Sequence, residues 1–326
     1  MNGLESHWYR KTPLTLLLLP LSWLFCAVAL GRRWAYRAGL LKTVRLPMPV
    51  IVVGNISVGG TGKTPMVAWL VALLRKEGYR PGIISRGYGG GARHWPQQVR
   101  ADSDPTMVGD EAVLLARRCH CPMAVGPDRP ATAQALLDHA DCNIIISDDG
   151  LQHYRLGRDV EIAVVDGVRR FGNGHCLPAG PLREPVKRLQ SVDMVIANGT
   201  AGPREYAMKL QPASLHNLQQ VEKTQPLAQF AGQRVHAVAG IGNPRRFFEL
   251  LASHGLDAIE HPFPDHHPFR AEDIDFGDEL PVLMTEKDAV KCQVFAAANH
   301  WYLPVDAQLD ERVPQILLRL IGKIHG

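Results

Sequence analysis

The sequence predicts an α/β protein whose main part is a P-loop NTPase-like parallel sheet with helices on both faces. Two observations predict this fold. Short apolar segments alternate with segments of helical periodicity, which is the pattern of parallel strands connected by helices. In addition, the apolar segment 50–53 runs into the glycine-rich loop 57–64, and a helical segment follows at once. A strand, such a loop and a helix in direct succession are typical of a phosphate-binding P-loop.

The glycine-rich loop carries the residue types that a nucleoside triphosphate requires. Its glycines allow consecutive backbone amides to point at one anion, and the N-terminus of the next helix adds unpaired amides and a positive dipole end. Lys63 is expected to reach the β- and γ-phosphates, and the Thr64 hydroxyl is expected to bind Mg²⁺. The loop departs from the usual motif at Ser57, where a glycine is common. The predicted nucleotide-binding residues are Ser57, Val58, Gly59, Gly60, Thr61, Gly62, Lys63 and Thr64.

Length and composition restrict the range of functions. The 326 residues suffice for about two domains, and an apolar content of 46% permits a packed core. A formal net charge of +4 suits anionic ligands or an anionic membrane surface and neither requires nor excludes nucleic acid. The cluster Cys119-His120-Cys121 lacks the four ligands of a structural zinc site, so buried thiols are the favoured interpretation. Because a P-loop needs intracellular ATP, we expect reduced cysteines.

The first element after the N-terminus is predicted to be a membrane helix. Residues 12–31 carry no charge, and their number is close to the roughly 20 residues that cross a bilayer. Pro20 is expected to kink this helix. Basic residues flank both ends and are more numerous after the segment, which places the bulk of the chain in the cytoplasm. The aromatic residues that fit the membrane–water interface are Trp8, Tyr9, Trp34 and Tyr36.

Two other interpretations of this segment are less consistent with the sequence. Ala27-Val28-Ala29 resembles a signal-peptidase site, but an exported P-loop would find no ATP. A core helix would have a polar face, whereas this segment is apolar all round. The choice between a helix that spans the bilayer and a monotopic helix that enters one leaflet stays open.

Strands and helices alternate after the membrane segment. The predicted strands are 50–53, 82–85, 123–125, 143–147, 161–165 and 194–197, and the predicted helices are 66–76, 111–119 and 130–139. Residues 199–233 are more polar and less periodic, and we interpret them as a linker. A second, smaller α/β domain follows, with strands at 235–239 and 282–284 and helices at 245–254 and 286–295. The predicted bounds are 1–33 for the anchor helix, 34–200 for the P-loop domain, 201–233 for the linker and 234–326 for the C-terminal domain.

Carboxylates lie where a parallel sheet binds its ligands. Asp148 and Asp149 end the apolar segment 143–147, a place where P-loop enzymes hold Mg²⁺ or its water. We expect one of them to bind the metal and the other to be partly structural. Asp110 and Glu111 open a helix, where acidic residues commonly cap the N-terminus. A second interpretation makes Asp110 a base, because phosphoryl transfer to an alcohol needs a proton acceptor. Spacing alone favours capping.

A histidine pair in the second domain is the other candidate for proton transfer. His266 and His267 follow Asp265 in a proline-rich loop. An exposed turn and an Asp-oriented imidazole that assists proton removal across the domain cleft are equally compatible with this pattern.

Three arginines lie beside glycine or proline in loops. They are Arg86, Arg129 and Arg183. Arginine binds phosphate bidentately, so three such residues favour an anionic substrate, although a lone loop arginine is usually only solvated.

Seven segments together resemble one kinase family. They are 57–65, 85–89, 109–111, 148–153, 177–184, 265–266 and 284–292. In this order they resemble the tetraacyldisaccharide 4'-kinases, the lipid A 4'-kinases of Gram-negative bacteria. The resemblance implies ATP- and Mg²⁺-dependent phosphorylation of the 4'-hydroxyl of tetraacyldisaccharide 1-phosphate, which forms lipid IVA. It also implies a location at the inner membrane with the catalytic domains on the cytoplasmic face.

The resemblance further implies roles for individual residues. Asp110 matches the proposed base of the family and His266 its proposed partner, with Lys63 as a third catalytic residue, and His267 leaves the choice of histidine open. The implied metal ligands are Thr64, Glu111, Asp148 and Asp149, and the implied ligands of the lipid head group and its phosphate are Arg86, Arg129 and Arg183. The implied partners are the lipid disaccharide 1-phosphate and the inner-membrane surface, and we expect neither nucleic acid nor an obligate protein partner.

The alternative function is a membrane-associated P-loop GTPase or a metallochaperone-like switch. Guanine-binding proteins commonly carry Asn/Thr-Lys-x-Asp, whereas the segment 285–288 reads Thr-Glu-Lys-Asp, with lysine and aspartate adjacent. A protein that only binds nucleotide is less consistent with Asp110 beside Asp148 and Asp149, because binding alone needs no additional carboxylate near the γ-phosphate.

Overall fold

The computed structural model of the chain describes residues 7–10 and 12–323. Residues 1–6, Lys11 and residues 324–326, which belong to the predicted anchor and the predicted C-terminal domain, lie outside the described residues. The described chain contains one sheet of nine strands and one of six.

Strands and helices alternate through much of the first part of the chain, whereas the second part contains four strands in succession. The first part comprises α1 (Pro13–Arg37), β1 (Val50–Gly54), α2 (Lys63–Lys76), β2 (Pro81–Ser85), β3 (Gln97–Gln98), α3 (Pro105–Val108), α4 (Asp110–Cys119), β4 (Met123–Val125), α5 (Arg129–His139), β5 (Ile144–Asp148), β6 (Val160–Asp166) and β7 (Met194–Asn198). The second part comprises β8 (Tyr206–Pro212), β9 (Leu215–Asn217), β10 (Thr224–Gln225), β11 (Arg234–Ala239), α6 (Pro244–Ser253), β12 (Asp257–Pro262), β13 (Val282–Thr285), α7 (Glu286–Cys292), β14 (His300–Leu303), β15 (Val305–Leu309) and α8 (Val313–Gly322). The predicted elements of the first domain are all present, with ends that differ by no more than three residues.

The larger sheet has the strand order β15-β8-β7-β6-β1-β5-β2-β4-β3. Strand β1 is central, is fully buried and pairs in parallel with β5 and β6. Ile51 and Val53 face a core shared with α2, α4 and α8, whereas Val50 and Val52 face a core shared with α5. This alternation of side chains places helices on both faces of the sheet, as the sequence predicts.

Residues 201–233 are not a plain linker. Strand β8 continues the larger sheet beside β7, and β9 and β10 belong to the smaller sheet, whose order is β10-β9-β14-β13-β11-β12. The burial of β8 alternates because β8 lies near the edge of its sheet, and this gives the segment the polarity that suggested a linker. Strand β15 then returns to pair with β8. We therefore propose that residues 213–304 form the second unit, in place of the predicted bounds 201–233 and 234–326.

Helix α1 lies along the first unit. Its 25 residues include Pro20, and its most apolar window has a mean hydropathy of 2.2 with only 11% of that window buried. One stripe contacts the protein: the hydroxyl of Ser22 donates to the carbonyl of Cys176 at 2.7 Å, and Arg33 donates to the hydroxyl of Ser191 at 2.5 Å. The opposite face exposes Leu16, Leu17, Leu21, Trp23, Leu24, Val28 and Trp34. By length and composition this helix is a candidate membrane span, and one stripe of it packs against the first unit.

The six cysteines are free thiols. Among the residues that the structure describes, no three His, Cys, Asp or Glu side chains are grouped so as to hold a metal ion by themselves. Both thiols of the Cys119-His120-Cys121 cluster are buried, as the sequence predicts.

Candidate active site

The P-loop leaves the carboxyl end of β1 and reaches α2 through two residues in the left-handed region. Gly59 has φ +98° and Gly62 has φ +97°, a conformation that side chains other than glycine rarely adopt. Helix α2 begins at Lys63, three residues before the predicted start at Met66. Lys63 and Thr64 consequently lie in its first turn, where the unpaired amides and the dipole favour an anion.

Side chains outside the loop hold its backbone in place. Asn198, at the end of β7, donates to the carbonyl of Thr61 at 3.1 Å, and Arg169 donates to the carbonyl of Gly60 at 2.8 Å. Arg246 of α6 in turn donates to Asn198 at 2.8 Å, which connects the second unit to the loop. Sequence reasoning missed these residues because their only signal was the position of Asn198 at a strand end.

Asp148 and Asp149 differ in their surroundings. Asp148 is 2% exposed, and its Oδ2 accepts from the hydroxyl of Ser85 at 3.3 Å. Its Oδ1 is buried without a hydrogen-bond partner, and burial raises the pKa of Asp148 to about 7. Asp149 instead lies 3.6 Å from the ammonium of Lys63 and 2.9 Å from the guanidinium of Arg183. Burial opposes its ionisation, but these two cations outweigh burial and hold the pKa of Asp149 well below its usual range.

These residues fit a magnesium ion. A buried carboxylate oxygen without a partner, such as Oδ1 of Asp148, is costly unless a cation or water satisfies it. Mg²⁺ keeps several waters and is commonly held by one or two carboxylates together with phosphate oxygens, so a complete protein cage is not required. The hydroxyl of Thr64 and the carboxylate of Glu111 line the same cleft as Asp148.

Asp110 and His266 come together although 156 residues separate them. Nδ1 of His266 lies 3.0 Å from Oδ2 of Asp110, and Asp110 is 6% exposed. Burial works against ionisation, yet the hydrogen bond with His266 and the charge of Lys287 hold the pKa of Asp110 below its ordinary value. The same hydrogen bond raises the pKa of His266 against burial and the charge of Lys287. The N-cap of α4 is Gly109, and Asp110 accepts from the amide of Glu111 at 2.8 Å, so a local contact with the helix terminus coexists with the contact to His266.

The structure separates the two histidines of the pair. Nε2 of His267 lies 3.0 Å from Oδ2 of Asp273, and its ring packs against Phe263 and Phe269. His267 therefore belongs to the interior of its own loop, and His266 is the histidine that contacts Asp110.

The second unit also places a lysine in the cleft. The ammonium of Lys287 lies 3.0 Å from Oε1 of Glu111 and 3.1 Å from Oδ1 of Asp265. The sequence did not identify Lys287 as a site residue, and the segment 285–288 served only as evidence against a guanine-binding motif. Lys287 and Glu111 are 176 positions apart, so no local pattern indicates their contact.

The three predicted arginines occupy different places. Arg86 and Arg183 line the cleft, and Arg183 pairs with Asp149. Arg129 is the first residue of α5, is 1% exposed, and donates to the backbone carbonyl of Asp148 at 2.7 Å. Burial lowers the pKa of Arg129 to about 10. Its predicted position in a loop is wrong, because Arg129 begins α5 and its side chain lies beneath the end of β5 instead of in the cleft lining.

One cleft connects these groups. Its volume is about 1400 Å³, and it extends from the P-loop to the exposed side of α1, between the two units. Its polar part includes Lys63, Asp148, Glu111 and His266. Its apolar part includes Phe25, Val28, Ala29 and Leu177. A ligand with both a phosphorylated and an apolar portion matches this division of the surface.

Comparison with known proteins gives a consistent result. The family model described as tetraacyldisaccharide-1-P 4'-kinase matches residues 14–322. The tetraacyldisaccharide 4'-kinase of Nitrosococcus oceani is 58% identical over 97% of this chain and 93% of its own length. The tetraacyldisaccharide 4'-kinase of Alkalilimnicola ehrlichii is 52% identical over 100% of this chain and 99% of its own length.

A solved structure agrees in fold. The crystal structure of LpxK from Aquifex aeolicus in complex with ATP superposes with a TM-score of 0.80 at 29% sequence identity. The match covers 94% of this chain and 99% of that chain. Together with the P-loop, the carboxylates and the second unit that closes the cleft, these matches show that the chain is a kinase and belongs to the tetraacyldisaccharide-1-P 4'-kinase family.

Proposed function

We propose that this kinase transfers the γ-phosphate of ATP to the 4'-hydroxyl of tetraacyldisaccharide 1-phosphate, with Asp110 as general base assisted by His266. The observation that carries the proposal is the contact of 3.0 Å between Asp110 and His266, a histidine that lines the same cleft as Lys63. ATP and Mg²⁺ are the cofactors of this kinase family, and the reaction forms lipid IVA in lipid A biosynthesis.

Each group at the P-loop has a part in holding the nucleotide. The amides of residues 57–64 and the helix terminus bind the phosphate oxygens, and Lys63 leaves Asp149 to reach the β- and γ-phosphates. Thr64 and Asp148 would hold Mg²⁺, with Glu111 beside them, and the bound ion would supply positive charge against the charge that develops on the transferred group. Asp149 then keeps its contact with Arg183.

The acceptor hydroxyl reacts at the opposite side of the cleft. Its oxygen attacks the γ-phosphorus as the bond to the ADP oxygen breaks, and its proton passes to the carboxylate of Asp110. His266 holds that carboxylate in place through Nδ1. Arg86 and Arg183 are proposed to bind the head group and its phosphate, and Arg129 is proposed to stabilise the end of β5 through the carbonyl of Asp148.

The activity is tested by incubating purified full-length protein with labelled ATP and tetraacyldisaccharide 1-phosphate in detergent and separating the lipid products. We expect one labelled lipid that carries the new phosphate at the 4'-position and needs Mg²⁺ for its formation. A strong preference for GTP, or hydrolysis of nucleotide without a labelled lipid, would favour the switch-like alternative instead.

We further propose that α1 is monotopic and places the protein on the cytoplasmic leaflet of the inner membrane. Ser22 and Arg33 lie on either side of the midpoint of α1, and both form hydrogen bonds with the kinase core. The helix therefore cannot leave the core to cross a bilayer without losing these contacts. Its exposed face is apolar, as in helices that lie in the membrane interface.

The membrane proposal predicts that charges on the exposed face of α1 release the protein from vesicles. Leu17 and Leu24 are 75% and 62% exposed, so Leu17→Glu with Leu24→Glu removes apolar contact with lipid while leaving the packed stripe intact. Flotation with anionic vesicles is expected to show at least a roughly tenfold loss of the bound fraction. Val294→Glu, at a side chain 89% exposed in the second unit, is the matched control and should float like the wild type. Equal flotation of the double variant would contradict the proposal.

A further inference from the structure

Lys287 is a buried cation in the cleft to which the proposed reaction gives no role. It is the second residue of α7, and its side chain is 14% exposed. Its Nζ lies 3.0 Å from Oε1 of Glu111 and 3.1 Å from Oδ1 of Asp265, and two carboxylates this close favour the charged form of lysine. Its side chain is therefore an ammonium group, and its contacts can be interpreted as those of a pure donor.

The ammonium also faces the imidazole of His266. The distance from Nζ of Lys287 to Nε2 of His266 is 3.4 Å. An ammonium group has three N–H donors and no acceptor, so Nε2 can only face it with a lone pair. Oδ1 of Asp265 is the competing acceptor for a proton on Nε2, but it lies 3.9 Å away, beyond hydrogen-bond distance.

The position of the imidazole proton follows from this contact. A neutral imidazole carries one proton, and if Nε2 is the acceptor, the proton is on Nδ1. Nδ1 is the atom that lies 3.0 Å from Oδ2 of Asp110. In the other tautomer, the lone pair of Nδ1 would face the carboxylate of Asp110, and Nε2–H would face the ammonium of Lys287. Both contacts would then be repulsive.

We propose that Lys287 is a positioning residue that holds His266 as the Nδ1–H tautomer, so that the imidazole donates to the carboxylate of Asp110. This inference rests on the proposed function of Asp110 as base. The contacts of Lys287 with Glu111 and Asp265, at 3.0 and 3.1 Å, hold its ammonium in a position from which it reaches Nε2 of His266.

The same helix offers a matched control. The side chain of Lys291 is 12% exposed, and its Nζ lies 3.0 Å from Oδ1 of Asp288 and 3.9 Å from Oδ2 of Asp110. Lys291 thus supplies a similarly buried positive charge at a similar place. Its close ion-pair partners are the carboxylates of Asp288 and Asp110, whereas the donor that faces Nε2 of His266 is Lys287. Lys291→Met removes charge near Asp110 without removing the donor at Nε2.

The test is the tautomer of His266 in nucleotide-free, detergent-solubilised full-length protein labelled with ¹⁵N-histidine. The His266 signals are assigned by their loss in His266→Gln, because the chain has 14 histidines, and they are measured on the alkaline side of the ring's titration, where the ring is neutral. We expect the Nδ1–H tautomer in the wild type, in Lys287→Arg and in Lys291→Met. In Lys287→Met we expect a measurably larger population of the Nε2–H tautomer, because only the contact with Asp110 then favours the proton on Nδ1.

Two results would overturn the inference: an Nε2–H tautomer in the wild type, or an unchanged Nδ1–H tautomer in folded Lys287→Met. The wild-type measurement can overturn the inference even if Lys287→Met does not fold. In the transfer assay, Lys287→Met is expected to lower kcat by roughly 10- to 100-fold with little change in the KM for ATP, and Lys287→Arg is expected to restore part of kcat.

The spectroscopic result does not depend on the reaction. A wild type without lipid phosphorylation but with the Nδ1–H tautomer would contradict the proposed function and leave the positional role of Lys287 standing. An active wild type whose His266 tautomer is independent of Lys287 would contradict this inference alone.

Discussion

Replacing Asp110 by asparagine is expected to lower kcat by roughly 10²- to 10⁴-fold and to leave the affinity for ATP nearly unchanged. Asparagine has nearly the same shape as aspartate but cannot accept the hydroxyl proton. Asp110 is 6% exposed and contacts His266, not the P-loop, so nucleotide binding does not depend on its charge. Steady-state kinetics of lipid phosphorylation and calorimetry with Mg²⁺ and ATP measure the two quantities separately.

A double-mutant cycle separates a joint role of Asp110 and His266 from two independent roles. If the two residues act as one unit, His266→Gln in the Asp110→Asn background should cost far less than in the wild type. His267→Gln is the matched control, because His267 contacts Asp273 and not Asp110. Nearly wild-type turnover of Asp110→Asn would remove Asp110 as the base.

Replacing Lys63 by alanine is expected to abolish measurable phosphate transfer and to weaken binding of Mg²⁺ and ATP. Lys63 lies in the first turn of α2, and in the nucleotide-free protein its ammonium is 3.6 Å from Asp149. The substitution removes the cation for the β- and γ-phosphates and leaves Asp149 with Arg183 as its remaining close cation. Electrostatic stabilisation of this kind is commonly worth 10²–10³ in rate for each group, about 3–4 kcal/mol.

Lys76 provides the control for Lys63. It lies in the last turn of the same helix and is exposed, so Lys76→Ala changes the net charge of α2 equally without touching the P-loop. Wild-type turnover is expected for Lys76→Ala. Retention of both ATP binding and transfer by Lys63→Ala would show that the nucleotide does not bind at this loop.

Much of the larger sheet follows from local chemistry. Val50–Gly54 is a continuous apolar run and Ile144–Asp148 opens with three isoleucines, because parallel strands at the centre of a sheet are buried on both faces, and such runs are recognised without a structure. The glycine-rich loop is recognised for a similar reason, since its backbone conformation requires glycine at Gly59 and Gly62. Strand β8 was missed because an alternating, half-buried strand has no such run.

The sequence predicted which residue types form the candidate site, but it did not predict how those residues are arranged. Asp148 and Asp149 were indistinguishable in sequence, and only their neighbours separate them: a buried oxygen without a partner for Asp148, and two cations for Asp149. Arg129 has the sequence context of an exposed loop residue but is buried beneath Asp148. His266 and His267 were separated only when the loop conformation directed one ring to Asp110 and the other to Asp273.

The sequence by itself determined the P-loop, the alternation of strands and helices, the apolar N-terminal helix and the family. Each of these is recognised from short segments of residues that are close together along the chain. The tertiary structure alone decided that Asp110 meets His266, that Lys287 meets both Glu111 and His266, and that α1 packs along the kinase core. Lys287 and His266 are 21 positions apart within the second unit, and the other contacts join residues more than a hundred positions apart. Their distances depend on how the two sheets pack together, a property that no local pattern of residues contains.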